Sequence, residues 1–317
     1  MPLSTRSRRR FLKETALAAA SAFCAARPVA AIENGPSKKL HLAQNQYPWL
    51  TFYRREGRDL AASLDAALAE VAQSGGDGFE PLATSAQQID RLAPLLEKHG
   101  LQMRSLYVNS TLHEAEKVAE SSDLVLAIAE EAKALGTRII VTNPSPIRWG
   151  GDENKDDSQL EIQAAALDRL GARLKAAGLV LAYHNHDVEL RHAAREFHHM
   201  MLATDPDNVT LCLDAHWIYR GAGNSQVALF DVVKLYGPRI SELHLRQSSG
   251  GVWTEAFSDG DIDYRRLAKE LVALGVKPHL VLEQAVEKDS PNTLGAVEAH
   301  RQGRRYAEEV FAAFAGR

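Results

Sequence analysis

The chain has 317 residues, a formal net charge of −4 and two cysteines, Cys24 and Cys212. Past the first few residues there is no basic block and no interleaving of basic with aromatic residues, which argues against a nucleic-acid partner held through its phosphates. The length suffices for one large domain or two small ones.

At the amino terminus Ser7–Lys13 reads SRRRFLK, and the apolar segment ALAAASAFCAA that follows is too short to span a bilayer, for which about 20 residues are needed. The pattern resembles a twin-arginine-type export signal, with cleavage expected after Ala31, where Val29 and Ala31 are the small recognition residues. The expected organisation is a leader over 1–31 and a single domain over 32–317. The expected location is the periplasm or the cell exterior, with no stable membrane insertion after cleavage. Cys24 leaves with the leader, so Cys212 has no internal disulfide partner.

Beyond the leader, short apolar runs predict strands at 39–45, 77–80, 101–108, 137–142, 178–184, 208–214, 239–245 and 279–283. Amphipathic stretches predict helices at 57–73, 85–98, 113–135, 157–177, 192–203, 225–236, 263–274 and 294–314. Leu60, Leu64, Leu68 and Val71 show the spacing. Gly100, Gly136, Gly178 and Gly275 close four helices just before a strand, where a left-handed residue is needed. Nearly continuous apolar runs such as TRIIVT indicate strands covered on both faces. Eight strand–helix units predict an α/β fold, a closed (β/α)8 TIM barrel, with an open doubly wound sheet as the alternative.

In such a barrel the chemistry gathers at the carboxyl ends of the strands. Those ends carry Gln44 and Gln46, Glu80, Asn109, Asn143, His184 and His186, Asp214 and His216, His244 and Arg246, and Glu283. A carboxylate after an apolar strand is costly to bury unless it is paired or bound to a cation. Asp214, His244 and Glu283, with His184 or His186, therefore predict one divalent ion. The mixed oxygen and nitrogen donors suit Mn2+, Zn2+, Co2+ or Fe2+ over Ca2+. His184 and His186 share a parity and point to one side, so one of them can ligate while the other meets substrate.

The motifs GGDGFEP at 75–81, YHNHDVEL at 183–190, LCLDAHW at 211–217, ELHLR at 242–246, DGDIDY at 259–264 and LVLEQ at 280–284 resemble those of the sugar phosphate isomerase/epimerase-like family, the xylose-isomerase-like TIM barrels. The resemblance implies a single metal ion held by an acidic residue of the fifth strand, Asp214, His244 and Glu283. It also implies that Glu80 and His216 contact substrate. The fifth strand departs from the pattern, since it offers His184 where the family places a glutamate; this makes the site less negative by one charge.

The resulting expectation is a metal-dependent isomerase or epimerase acting on a non-phosphorylated sugar or keto-sugar through an enediolate. Glu283 is one proton-transfer group, and Glu189, His186 or His216 is the other. Asn109, Arg246 and Trp253 join Glu80, His186 and His216 as substrate contacts, with Arg148 and Trp149 as further candidates for the sugar pocket. One alternative is a lyase or dehydratase expelling a β-hydroxyl or glycosidic oxygen from a keto-sugar or keto-inositol. Another is a sugar-binding barrel without catalysis. The partner is a small carbohydrate; the chain is a monomer or a dimer, and the loop over 143–157 is a candidate lid.

Overall fold

A computed structural model describes residues 39–315; the expected leader and its cleavage site lie outside them. Eight strands form one parallel sheet: β1 Leu42–Asn45, β2 Gly78–Glu80, β3 Ser105–Ser110, β4 Ile139–Pro144, β5 Val180–His184, β6 Val209–Asp214, β7 Ile240–Leu245 and β8 His279–Leu282. β1 pairs with β2 and β8, and from β3 to β8 each strand pairs with its neighbour in chain order. The seam between β2 and β3 is closed by backbone bonds from Phe79 N to Gln102 O at 2.9 Å, Tyr107 N to Pro81 O at 2.9 Å and Ala83 N to Tyr107 O at 2.8 Å. The chain is a (β/α)8 barrel.

The surrounding helices are α1 Gln46–Arg55, α2 Leu64–Gln73, α3 Ala86–His99, α4 Val118–Ala134, α5 Asp157–Ala176, α6 Arg191–Ala203, α7 Ala215–Gly221, α8 Gln226–Tyr236, α9 Tyr264–Ala273 and α10 Ala296–Val310. Side-chain caps start several of them: Asp156 and Gln159 form a reciprocal capping box on α5, and Ser85 caps α3. Gly100, Gly136, Gly178 and Gly275 have φ of 67°, 95°, 78° and 72°, the left-handed turn expected of them. No helix among the described residues is long and apolar enough to cross a membrane.

Three features differ from expectation. Helix α1, outside the expected helices, buries Pro48, Trp49, Phe52 and Tyr53, with Trp49, Phe52 and Tyr53 at i, i+3, i+4 spacing. Helix α7 begins directly at the end of β6, because Asp214 Oδ1 accepts a hydrogen bond from Trp217 N at 2.9 Å and so caps it. In α6, His192, Ala193 and Ala194 have φ of 51°, 60° and 58°, so regular right-handed helix starts only after Ala194.

One apolar core lies between sheet and helices, and a small second one, Tyr107, Ile139, Val141, Ala182 and Cys212, fills the barrel interior. Two histidines far from the strand ends, His300 buried and His41 partly buried, are held as neutral rings. His300 stacks on Trp49 at 4.4 Å between ring centroids and donates Nδ1–H to Ala296 O at 2.8 Å. His41 lies 5.3 Å from His279 at the opposite end of the barrel. Burial lowers both from 6.5 to about 4, with Arg104 adding to the effect at His41.

The unfolded chain therefore binds protons that the folded chain refuses between these values. Stability is expected to fall as pH drops from 6.5 toward 4, by up to about 1.4 kcal/mol per pH unit for each ring. Thermal melts across that range test this, and His300→Phe, which keeps the stacking, is expected to flatten the fall.

Candidate metal centre and substrate pocket

Strand alternation selects what enters the barrel. On β7 it places Glu242 and His244 in one inward column, continued by Arg246. Cys212 and Asp214 form the column on β6, Ala182 and His184 on β5, Val281 and Glu283 on β8. One ligand atom from each of His184, Asp214, His244 and Glu283 lies within 4.8 Å of the other three. The first three are fully buried, and Glu283 is 6% exposed. His244 Nδ1 is 3.0 Å from Glu283 Oε2, and His184 Nε2 is 4.0 Å from the same oxygen.

The donor set fits a cation. Both ring nitrogens of His184 and Oδ2 of Asp214 are buried with no hydrogen-bond partner. Atoms left in that state cost about 1–3 kcal/mol each, and a cation among these donors would engage several of them at once. His184, rather than His186, stands in this set. The His186 ring packs edge-on to His184 at 4.8 Å, one step farther toward the mouth.

Arg246 sits beside the carboxylates. Its Nη2 lies 2.7 Å from Glu283 Oε2 and 3.6 Å from Asp214 Oδ2. Its guanidinium lies 4.4 Å from the ring of Trp253 and 5.0 Å from that of Trp217, two indoles packed edge to face at 5.6 Å. Burial would raise the Glu283 carboxyl, but Arg246 and His244 outweigh it and hold the group well below its usual range. Burial pushes Asp214 up to about 7, against the pull of Arg246. Burial lowers His186 to about 4, and burial with Arg246 and Arg220 lowers His216 to about 2, so both rings are neutral at pH 7.

Trp253 stands on a short hairpin, Ser248–Ser249 with Val252–Trp253. Its backbone is fixed by Glu287 Oε1 at 2.8 Å and Ser290 Oγ at 2.8 Å. The rings of Trp253 and Trp217 each lie 6.1 Å from that of His216, and neither nitrogen of His216 has a hydrogen-bond partner. Glu80 is buried below, accepting from Asn45 Nδ2 at 2.7 Å and facing His244 Nε2 at 3.1 Å. Asn109 is exposed at the end of β3.

A family model, the xylose isomerase-like TIM barrel, matches residues 68–309. The chain belongs to that family. Its relatives include the inosose dehydratase of Clostridium botulinum (strain Alaska E43 / Type E3), 24% identical over 276 residues and covering 78% of this chain and 89% of that protein. Among solved structures, 3-keto-D-glucoside 4-epimerase from E. coli aligns with a TM-score of 0.60 at 13% identity, over 86% of this chain and all of that one. A xylose isomerase-like barrel from Mycobacterium smegmatis in complex with magnesium aligns at 0.66 and 14%, over 91% of this chain and all of that one. At those identities the structural likeness is one of fold. The relatives are enzymes, an inosose dehydratase by sequence and a keto-glucoside epimerase by fold.

Within this xylose isomerase-like barrel several residues take places the sequence did not announce. Gln44 faces the helices, donating to Ser74 Oγ at 2.8 Å and accepting from Trp49 Nε1 at 3.0 Å, while Gln46 accepts from Leu82 N at 3.0 Å. Asn45, of opposite parity to Gln44, is the β1 residue that enters the barrel. Asn143 is more than a turn residue. Its Nδ2 donates to His184 O at 3.0 Å and to Glu189 Oε1 at 2.9 Å.

The other oxygen of Glu189, Oε2, accepts from His186 N at 2.7 Å. Both Glu189 oxygens are thus engaged in holding the end of β5. The loop over 143–157 is pinned by buried Lys155, which donates to Pro144 O at 3.1 Å and Glu196 Oε1 at 2.6 Å, and by Arg191 Nη1 on Gly151 O at 3.0 Å. Its exposed part carries Arg148, paired with Glu153 at 2.8 Å, and Trp149, 5.1 Å from the His186 ring.

Proposed function

We propose that this protein uses one divalent cation, held by His184, Asp214, His244 and Glu283, to remove the proton beside the carbonyl of a non-phosphorylated keto-sugar or keto-inositol, and that elimination follows. The cluster of buried donors with unpaired atoms at the strand ends supports this reading most directly. When bound, Mn2+, Zn2+, Co2+ or Fe2+ supplies Lewis acidity at the carbonyl oxygen.

The chain's own residues divide the remaining work. Glu283, kept ionised by Arg246 and His244, takes the proton. The C–H electron pair becomes a C=C bond as the β C–O bond breaks, and the proton gained by Glu283 passes to the departing oxygen, which leaves as water or an alcohol. Arg246, His186 and His216 orient sugar oxygens, Trp253 covers the ring, and Asn109 meets the substrate at the rim, while Glu80, buried on His244, does not reach the sugar.

Elimination is preferred to epimerisation because it runs with a single shuttling carboxylate. Epimerisation needs a second acid–base group on the opposite face; both oxygens of Glu189 are already engaged, and His186 and His216, lowered to about 4 and about 2, are poorly matched to proton transfer near pH 7. The inosose dehydratase relative supports the same choice. Isomerisation or epimerisation shares the first step and is the second reading. The leader-like amino terminus supports action in the periplasm or outside the cell, where phosphorylated intermediates are scarce.

The test incubates the Mn2+-loaded protein in D2O with 2-keto-myo-inositol and with a methyl 3-keto-glucoside. A product lighter by water or methanol, abolished by chelation and restored by Mn2+ or Co2+, is the expected result. Deuterium in a sugar that has lost no other mass would establish the second reading. Saturable binding with neither exchange nor loss of mass would leave a non-catalytic binding barrel.

A further inference from the structure

We propose that Glu242, together with Glu80, is a positioning residue that fixes the ring of His244 with its hydrogen on Nε2, so that Nδ1 presents a lone pair to the cation. The inference rests on the cation seat argued above. Nothing in the sequence marks Glu242, which lies inside an apolar strand two residues before His244. Alternation along β7 nevertheless stacks Glu242, His244 and Arg246 in one inward column, so a single strand carries a support, a ligand and a substrate contact.

Carboxyl groups face both nitrogens of the ring, and the one at Nδ1 belongs to the cation seat. Nε2 of His244 is 3.1 Å from Glu242 Oε1 and 3.1 Å from Glu80 Oε2, while Nδ1 is 3.0 Å from Glu283 Oε2, a member of the cation seat. Carboxyl oxygens accept hydrogen bonds, and an imidazole that gives one nitrogen's lone pair to a cation carries its single hydrogen on the other nitrogen. Two acceptors on the Nε2 side hold that hydrogen there. Metal-ligating histidines generally donate their second nitrogen to a carboxylate in this way, which sets tautomer and ring direction.

One carboxylate would suffice to choose the tautomer, and burying two is costly. The second adds a direction. Glu80 comes from β2 and Glu242 from β7, strands separated in the sheet by β1 and β8, so the ring is gripped across the barrel interior. Glu80 is itself anchored by Asn45 Nδ2 at 2.7 Å, and Glu242 Oε1 receives the Cys212 thiol at 3.6 Å. Glu80 and Glu242 are fully buried, out of reach of substrate at the mouth. Their part is to act through His244.

The test measures Mn2+ affinity by calorimetry in wild type, Glu242→Gln and Glu242→Leu, with thermal melts to show that each folds. Both variants are expected to bind Mn2+ about 10–100-fold more weakly than wild type. Long-range 1H–15N spectra of Zn2+-loaded, 15N-histidine-labelled wild type are expected to show His244 protonated on Nε2, the signal being assigned by its loss in His244→Gln. The spectra require no variant to fold. Mn2+ affinity within twofold of wild type in folded variants, or an Nδ1-protonated His244, would overturn the role of Glu242 while leaving the cation seat intact. Absence of Mn2+ and Zn2+ binding by wild type would overturn the seat, and this inference with it.

Discussion

Glu283→Gln is expected to lower kcat by roughly 10^2–10^4-fold, the usual contribution of a positioned acid–base group. The substitution keeps the volume and the neutral hydrogen bonds but removes the only carboxylate of the cluster that touches Arg246, His244 and the mouth of the pocket together. It also takes one charged donor from the cation seat. The measurement is therefore made at saturating Mn2+, where weaker ion binding no longer limits the rate. Exchange of the α-proton with D2O should fall in parallel with product formation, because both begin with the same proton removal. A variant that still exchanged deuterium within tenfold of wild type would show that another group takes the proton.

The largest stability effect is expected at Lys155, outside the cation seat. Its ammonium is 2% exposed and lies 2.6 Å from Glu196, which also accepts from Gln163 at 2.9 Å. Burial raises the Glu196 and Glu189 carboxyls, and Lys155 opposes that rise at both. Lys155→Met leaves two buried carboxylates without their cation, an error worth about 3–5 kcal/mol.

The sign with pH follows from linkage. In the variant the folded carboxyls titrate still higher than in the unfolded chain, so the folded form is penalised more as pH rises above the unfolded value. The loss in melting temperature should be greatest near pH 7.5 and shrink toward pH 5. Because Glu189 holds His186 N and Asn143, activity should drop as well. Lys155→Met with Glu196→Leu, which removes both charges, is expected to recover much of the stability, since replacing a buried pair by apolar groups is often neutral. Equal melting curves for wild type and Lys155→Met would remove this ion pair from the account of the loop.

Local pattern alone identified the repeating units and the ligand candidates. Apolar runs and three-to-four spacing located the eight strands and most helices, and the glycines before β3, β4, β5 and β8 marked their turns. Asp214, His244 and Glu283 were recognisable because each ends an apolar strand, a position where a polar group needs a reason. These signals are written in neighbours along the chain, where periodicity and turn chemistry act.

Partner choice was decided only by the tertiary structure. His244 meets Glu80, Glu242 and Glu283 at once, and Asn143 meets Glu189, through a register that brings residues far apart in sequence onto one level of the barrel. The direction of Gln44 away from the pocket, the engagement of both Glu189 oxygens, the support given by Glu242 and the buried Lys155 all follow from that closure. Hydrogen bonds and ion pairs are contacts across space, and a strand's own pattern specifies which face a side chain takes but not what stands opposite it.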